Sequence, residues 1–166
     1  MYERAKFYPG GMFHVYNRGV AKQTLFHDDQ DHQHFLETLS FYLEAAPAQR
    51  FSKTKVEDRR VVLAAVPSHP LVEVLAYCLM PNHFHLVLRE VVEGGVSTFM
   101  RRALNSYTRA YNTRYRRIGT VFQGTFQAVA VETDEQLLHL TRYVHLNPYV
   151  ARLTRIPNDY WWSSYP

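Results

Sequence analysis

Tyr77-Cys78-Leu79-Met80-Pro81-Asn82-His83-Phe84-His85-Leu86-Val87-Leu88 is two apolar runs split by a Pro-Asn turn. The spacing predicts a hairpin in which a strand over residues 72–77 turns through Pro81-Asn82 into a second strand over 83–89. Successive strand side chains point to opposite faces, so His83 and His85 share one face and Phe84 takes the other. Two imidazoles on one face make half of a metal site. Taken alone, the triplet is more simply a pair of solvated strand histidines drawn from the nine in the chain.

The other half lies downstream. Thr133 with Gln136 three residues later has the form of a capping box, and Pro148 cannot continue a helix, so the pattern predicts a helix over about 134–147. Leu137, Leu140, Thr141 and Val144 form its buried stripe, and Tyr143 and Asn147, at i and i+4, stack on a flank about 100° away. A phenol and an amide thus lean together off the core face. On helix pattern alone, Tyr143 also fits a half-buried tyrosine at the edge of a core.

These two pieces in one basic chain resemble the single-tyrosine HUH transposases, most closely the REP-associated tyrosine transposase branch. The resemblance runs almost end to end. It takes in His14-Val15-Tyr16-Asn17-Arg18-Gly19, Leu79 to Leu86, Tyr107-Thr108-Arg109-Ala110-Tyr111-Asn112, Tyr143-Val144-His145-Leu146-Asn147-Pro148 and Trp162-Ser163-Ser164-Tyr165. Departures are Gly124-Thr125-Phe126, where relatives often carry Gly-Arg-Phe, and Asn147, where many insertion-sequence relatives have Gln.

At 166 residues and 46% hydrophobic content the chain reads as one domain over 1–166 with a real core. No run is long and apolar enough to span a bilayer, and the first residues lack the apolar centre of a signal peptide, so a cytoplasmic protein with no membrane partner is expected. One cysteine, Cys78, excludes an internal disulfide and any multi-cysteine zinc site. The net charge is +4, yet residues 94–131 contain no acidic residue and hold six arginines: Arg101, Arg102, Arg109, Arg114, Arg116 and Arg117. Interleaved with Tyr107, Tyr111 and other rings, they suit a surface that neutralises phosphates and stacks unpaired bases; a solvated helix face is the plainer alternative. Tyr107 and Tyr111, on one stripe with Met100 and Ala103, read as packing or base-stacking residues.

Along the chain, Met12 to Tyr16 alternates as a first strand, and apolar residues at helical spacing predict a helix over about 28–44. Residues 45–60 read as a loop, 61–66 as an apolar run. Ser97 is placed to cap a helix reaching about Arg117, Gly119 stops it, and Gln127 to Val131 is the last strand. The order predicts an α+β fold, an antiparallel sheet with helices packed mainly on one face. The resemblance implies a ferredoxin-like version of it, with the catalytic tyrosine on a late helix facing the histidines.

The chemistry follows from residue types. Tyr143 offers an attacking oxygen, but phenols ionise only near pH ~10, so a cation or base must draw off the proton. A divalent metal on His83 and His85 polarises a phosphate, and Asn147 offers its amide oxygen as a third ligand. Two imidazoles and an amide suit Mn²⁺, and Mg²⁺ less well; Mg²⁺ or Mn²⁺ is expected ahead of Zn²⁺. His139, one turn before Tyr143, is placed to assist proton transfer, although a plain surface histidine is the simpler reading.

The resemblance implies a 5′-phosphotyrosine linkage at Tyr143, a released 3′-hydroxyl, and strand transfer by the reverse reaction. It also implies single-stranded DNA with hairpin structure as partner, and leaves monomer and helix-exchanged homodimer both open. The leading expectation is a metal-dependent single-stranded DNA endonuclease and strand transferase. The alternatives are a catalytically silent, domesticated DNA-hairpin-binding protein and a replication-initiation or relaxase-like HUH nickase. The target DNA sequence is not encoded in any short motif.

Overall fold

The computed structural model describes residues 5–47, 51–54 and 66–165, without the side chain of Ser52. The run 61–65 and much of the 45–60 loop lie outside them. Where period-2 and period-3.6 patterns alternate, the chain forms β1 (Met12–Arg18), α1 (Asp29–Tyr42), β2 (Val72–Met80), β3 (His83–Glu90), α2 (Gly95–Arg114), β4 (Gln127–Val131) and α3 (Asp134–Val150). The strands lie in the order β2-β3-β1-β4, every neighbouring pair antiparallel. This is the interleaved, ferredoxin-like α+β arrangement.

Strand parity divides the sheet into two unequal faces. Phe13 and Val15 of β1 and Phe84, Leu86 and Leu88 of β3 point to one side, all fully buried. There they meet Phe35 and Leu39 of α1 and Phe99, Met100, Ala103 and Tyr107 of α2 in the main core. Burying one such large apolar side chain stabilises by roughly 1.5–3 kcal/mol. The second face carries a smaller core, Ala76, Cys78, Met80 and Val87 under Val144 of α3, with Leu137 and Leu140 at its margin. Two helices therefore cover one face and the tyrosine helix covers the other.

Local chemistry explains the helix ends. Asp28 caps α1 by accepting from the Asp31 amide, and Thr133 caps α3 by accepting from Gln136 N at 3.1 Å. Gln136 Oε1 closes the box on Glu132 N, one residue earlier than the standard partner. Helix α2 begins before Ser97: Gly94 takes φ +70°, and the fully buried Glu90 accepts from Gly94 N and Val96 N. A carboxylate thus satisfies free N–H groups at the start of the helix, the capping role expected of Ser97 further on. It stops at Arg114, short of the expected Arg117, and Arg116 follows with φ +50°.

Pro148 does not end α3, which continues to Val150 and closes with Ala151 N on Asn147 O. Proline removes one amide donor, but within the last turn the following amides still find carbonyls. In the expected 45–60 loop, Phe51 opens a short 3₁₀ turn and is 1% exposed, packed 5.1 Å from Phe41. Beyond α3, residues 162–164 run along the open edge of β2, with Leu79 N donating to Trp162 O and Ser164 N to Tyr77 O. His145 Nε2 and Ser164 Oγ lie 2.8 Å apart, tying α3 to this segment. No helix among the described residues is long and apolar enough to cross a membrane.

Candidate active site

Register decides which side chains meet on the α3 face. His85 pairs with Tyr16 of β1 and Cys78 of β2, and His83 with Arg18 and Met80. Antiparallel partners point the same way, so His83, His85, Tyr16 and Arg18 share a surface, and His14, opposite Val87, lies diagonally next to His85. The His83 and His85 rings are 5.1 Å apart and nearly perpendicular. Tyr143 comes down from α3 with its ring edge-on, 5.6 Å from His85 and 6.3 Å from His14. The structure thus brings together the two histidines and the tyrosine singled out in the sequence.

A cleft of about 540 Å³ opens at this point, lined by His83, His85, Tyr143, Tyr16, Arg18, Lys22 and the amides of Asn17, Asn82, Gln123 and Gln127. No carboxylate among the described residues lines it. His85 is 7% exposed, whereas Tyr143 is 53% exposed. Burial pushes His85 down to about 3, with the neighbouring His14 and His83 adding to the effect, and pushes His14 down to about 4. Burial and then Arg18 lower His83 as well. All three imidazoles are neutral at pH 7, which leaves nitrogen lone pairs for a cation.

The histidine pair has the donor chemistry of a divalent metal site. His83 Nδ1 is engaged by Asn82 Oδ1 at 2.7 Å, leaving Nε2. His85 Nδ1 lies 2.9 Å from His14 Nε2, again leaving Nε2. Ring nitrogens held from behind in this way are the usual support of metal-binding histidines. Asn147 is not brought to the pair: it stands outside the cleft lining, and its Nδ2 donates to Tyr143 O at 3.0 Å. His139 is exposed and 3.8 Å from Glu135, on the outer side of the helix.

The arginine-rich helix divides in two. Tyr107 and Tyr111 are 1% and 4% exposed, and their hydroxyls donate to Leu25 O and Thr24 O. Packed in the core, neither offers a ring face to a base, so of the two roles expected for them, packing and base stacking, the structure favours packing. Arg114 is committed to Asp28 and Asp31, and Arg102 donates to Ala45 O. Arg117 lies 5.6 Å over the Tyr111 ring. Arg101, Arg109 and Arg116 are exposed, and Arg101 lines a second groove between α2 and residues 120–126.

Sequence reasoning gave no role to His14, Asn82, Arg18 or Lys22. His14 and Arg18 stood in the stretch 14–19 that carried the resemblance, and strand parity puts both on one face. Only the pairing of β1 with β3 shows that this face is the one bearing the histidines. Arg18 also bears on the departure at Gly124-Thr125-Phe126. Its Nε donates to Gln123 Oε1, so a cation reaches this loop from β1.

A four-stranded antiparallel sheet bearing paired histidines, with a tyrosine brought across them by the helix on that face, defines a small α+β class of fold. The family described as "Transposase IS200 like" matches residues 46–147, and the chain belongs to that family. Among solved structures, the REP-associated tyrosine transposase bound to a REP hairpin is similar at a TM-score of 0.64 and 16% identity, over 99% of this chain and 82% of the other. At that identity the likeness establishes the shared fold. A transposase structure from Deinococcus radiodurans R1 aligns over 86% of this chain and 95% of the other, at 11% identity and a TM-score of 0.45. No curated protein matches.

Proposed function

We propose that the chain, acting as one domain over residues 1–166 in the cytoplasm, is a metal-dependent single-strand DNA endonuclease and strand transferase for hairpin-forming DNA. The observation that carries this reading is the exposed Tyr143 phenol set edge-on to His85, 5.6 Å away, in the cleft that His83, His85 and Arg18 also line. The transposase family supports DNA as substrate, and the similar structure bound to a REP hairpin supports a hairpin as its form.

In this reading the Tyr143 oxygen attacks the scissile phosphorus in line with the departing 3′ oxygen. The P–O3′ bond breaks as the phosphotyrosine bond forms, the phenol gives up its proton and the 3′ oxygen gains one. The phosphodiester's energy is kept in the 5′-phosphotyrosine, so a 3′-hydroxyl can reverse the step and join strands. Arg18 and Lys22 set positive charge where a phosphate enters, and Asn82, Gln123 and Gln127 offer amide donors to the backbone. His83 and His85 would hold a divalent ion, Mn²⁺ or Mg²⁺, which as a Lewis acid draws charge from the phosphoryl oxygens.

Incubation with a labelled single-stranded hairpin library and Mn²⁺ or Mg²⁺ tests the proposal. A denaturation-resistant protein–DNA adduct is expected with the wild-type chain and none with Tyr143→Phe. Hairpin binding with no adduct across the library would instead establish a catalytically silent hairpin-binding protein.

A further inference from the structure

We propose that His14 is a positioning residue for the histidine pair: its Nε2 accepts the Nδ1–H of His85 and fixes His85 as the tautomer whose Nε2 keeps a free lone pair. The inference deepens the metal-dependent reading above and rests on it. His14 reaches this position by register. It sits opposite Val87, two residues from His85, so both rings stand on one face at diagonal positions of neighbouring strands. The rings lie 5.1 Å apart at 25°, and the two nitrogens approach to 2.9 Å.

A nitrogen–nitrogen bond at that distance holds one hydrogen between the rings, and its direction decides what His85 can do. If His14 donates, His85 carries its own proton on Nε2 and offers nothing to a cation. If His85 donates, Nε2 is free.

The neighbouring histidine shows which direction makes a working pair. Asn82 Nδ2 donates to Lys22 O at 3.4 Å, which turns Oδ1 toward His83 Nδ1 at 2.7 Å. Only an N–H bonds to that oxygen, so His83 is the Nδ1–H tautomer with Nε2 free. With His85 in the same tautomer, the two strand histidines present equivalent nitrogens, each held from behind by a polar partner. Asn82 performs this for His83 and His14 for His85, the arrangement that orients histidine ligands and raises their basicity.

A filler role for His14 makes different predictions. Its ring also lies 4.9 Å from Tyr16, and packing alone would be served by any ring of similar size. His14→Phe keeps a ring and removes the acceptor, whereas His14→Gln restores an acceptor oxygen at similar reach.

The first readout is the imidazole tautomer in the metal-free full-length chain, from long-range ¹H–¹⁵N NMR correlations. The second is Mn²⁺ affinity by calorimetry. We expect His85 protonated at Nδ1 in the wild type, loss of that single tautomer in His14→Phe, and Mn²⁺ binding weakened roughly 10- to 100-fold. His14→Gln should recover most of both. Wild-type His85 protonated at Nε2, or an unchanged His85 tautomer in His14→Phe, would overturn the proposal. A wild-type chain with the expected tautomer that fails to bind Mn²⁺ would sink the metal-dependent reading and leave the hydrogen-bond assignment standing.

Discussion

Neutral histidines at a buried site set a pH dependence that belongs to single residues. Burial is the leading cause in each case, placing His85 at about 3 and His14 at about 4 against an ordinary 6.5. The unfolded chain takes up protons below about 6.5 that the folded chain refuses until pH reaches about 3 to 4. Stability from these two groups is therefore full above 6.5 and is lost progressively as pH falls through that window. Urea midpoints measured from about pH 7 to about pH 4 should fall more steeply for the wild type than for His14→Phe/His85→Phe; parallel curves would contradict the account. His83 and His85 were legible in the sequence because a strand's two-residue repeat is local. The role of His14 was not, because its contact with His85 joins residues 71 apart and depends on register.

At the scale of the element, α2 shows why a charge pattern and a binding surface are different things. Tyr107 and Tyr111 repeat at helical spacing among arginines, and that spacing describes a core stripe as well as it describes a row of stacking platforms. Their burial, and the pairing of Arg114 with Asp31, came from α1 packing alongside, which no window of α2 reports. The arginines accordingly separate by experiment. Arg114→Ala should cost about 1.5–3 kcal/mol in urea unfolding. That is less than the ~3–5 of a fully buried pair, because Arg114 is 33% exposed and Tyr115 Oη and His27 N still serve Asp31. Arg101→Ala should leave the urea midpoint unchanged, weaken hairpin binding, and reduce the slope of log affinity against log salt by about one. If Arg101→Ala changes neither affinity nor slope, the second groove lies off the DNA path.

Across the whole molecule, the sequence order of strands and helices was enough to predict the antiparallel α+β sheet, because each element announces itself by its own periodicity. Which face α3 would take was not legible from that order. Its apolar stripe was readable, and Val144, Leu137 and Leu140 do pack inward, but only Val144 and Pro148 are deeply buried and the small face they meet is assembled from β2 and β3. That placement bears on how subunits share the work. Val144 is fully buried on Ala76, Cys78, Met80 and Val87 of its own sheet. His145 is held at 2.8 Å by Ser164, whose segment is in turn bonded to β2. Tyr143 in this arrangement meets the histidines of its own chain, and an α3 exchanged with a second copy would have to remake the same contacts between chains. Mixing His85→Ala with Tyr143→Phe distinguishes the two arrangements. Each variant lacks one half of the site, so a tyrosine acting within its own chain leaves the mixture without adduct. An exchanged helix would instead pair the intact Tyr143 of one variant with the intact histidines of the other, and adduct would return on mixing. We expect none at any ratio, against a wild-type control at equal total protein.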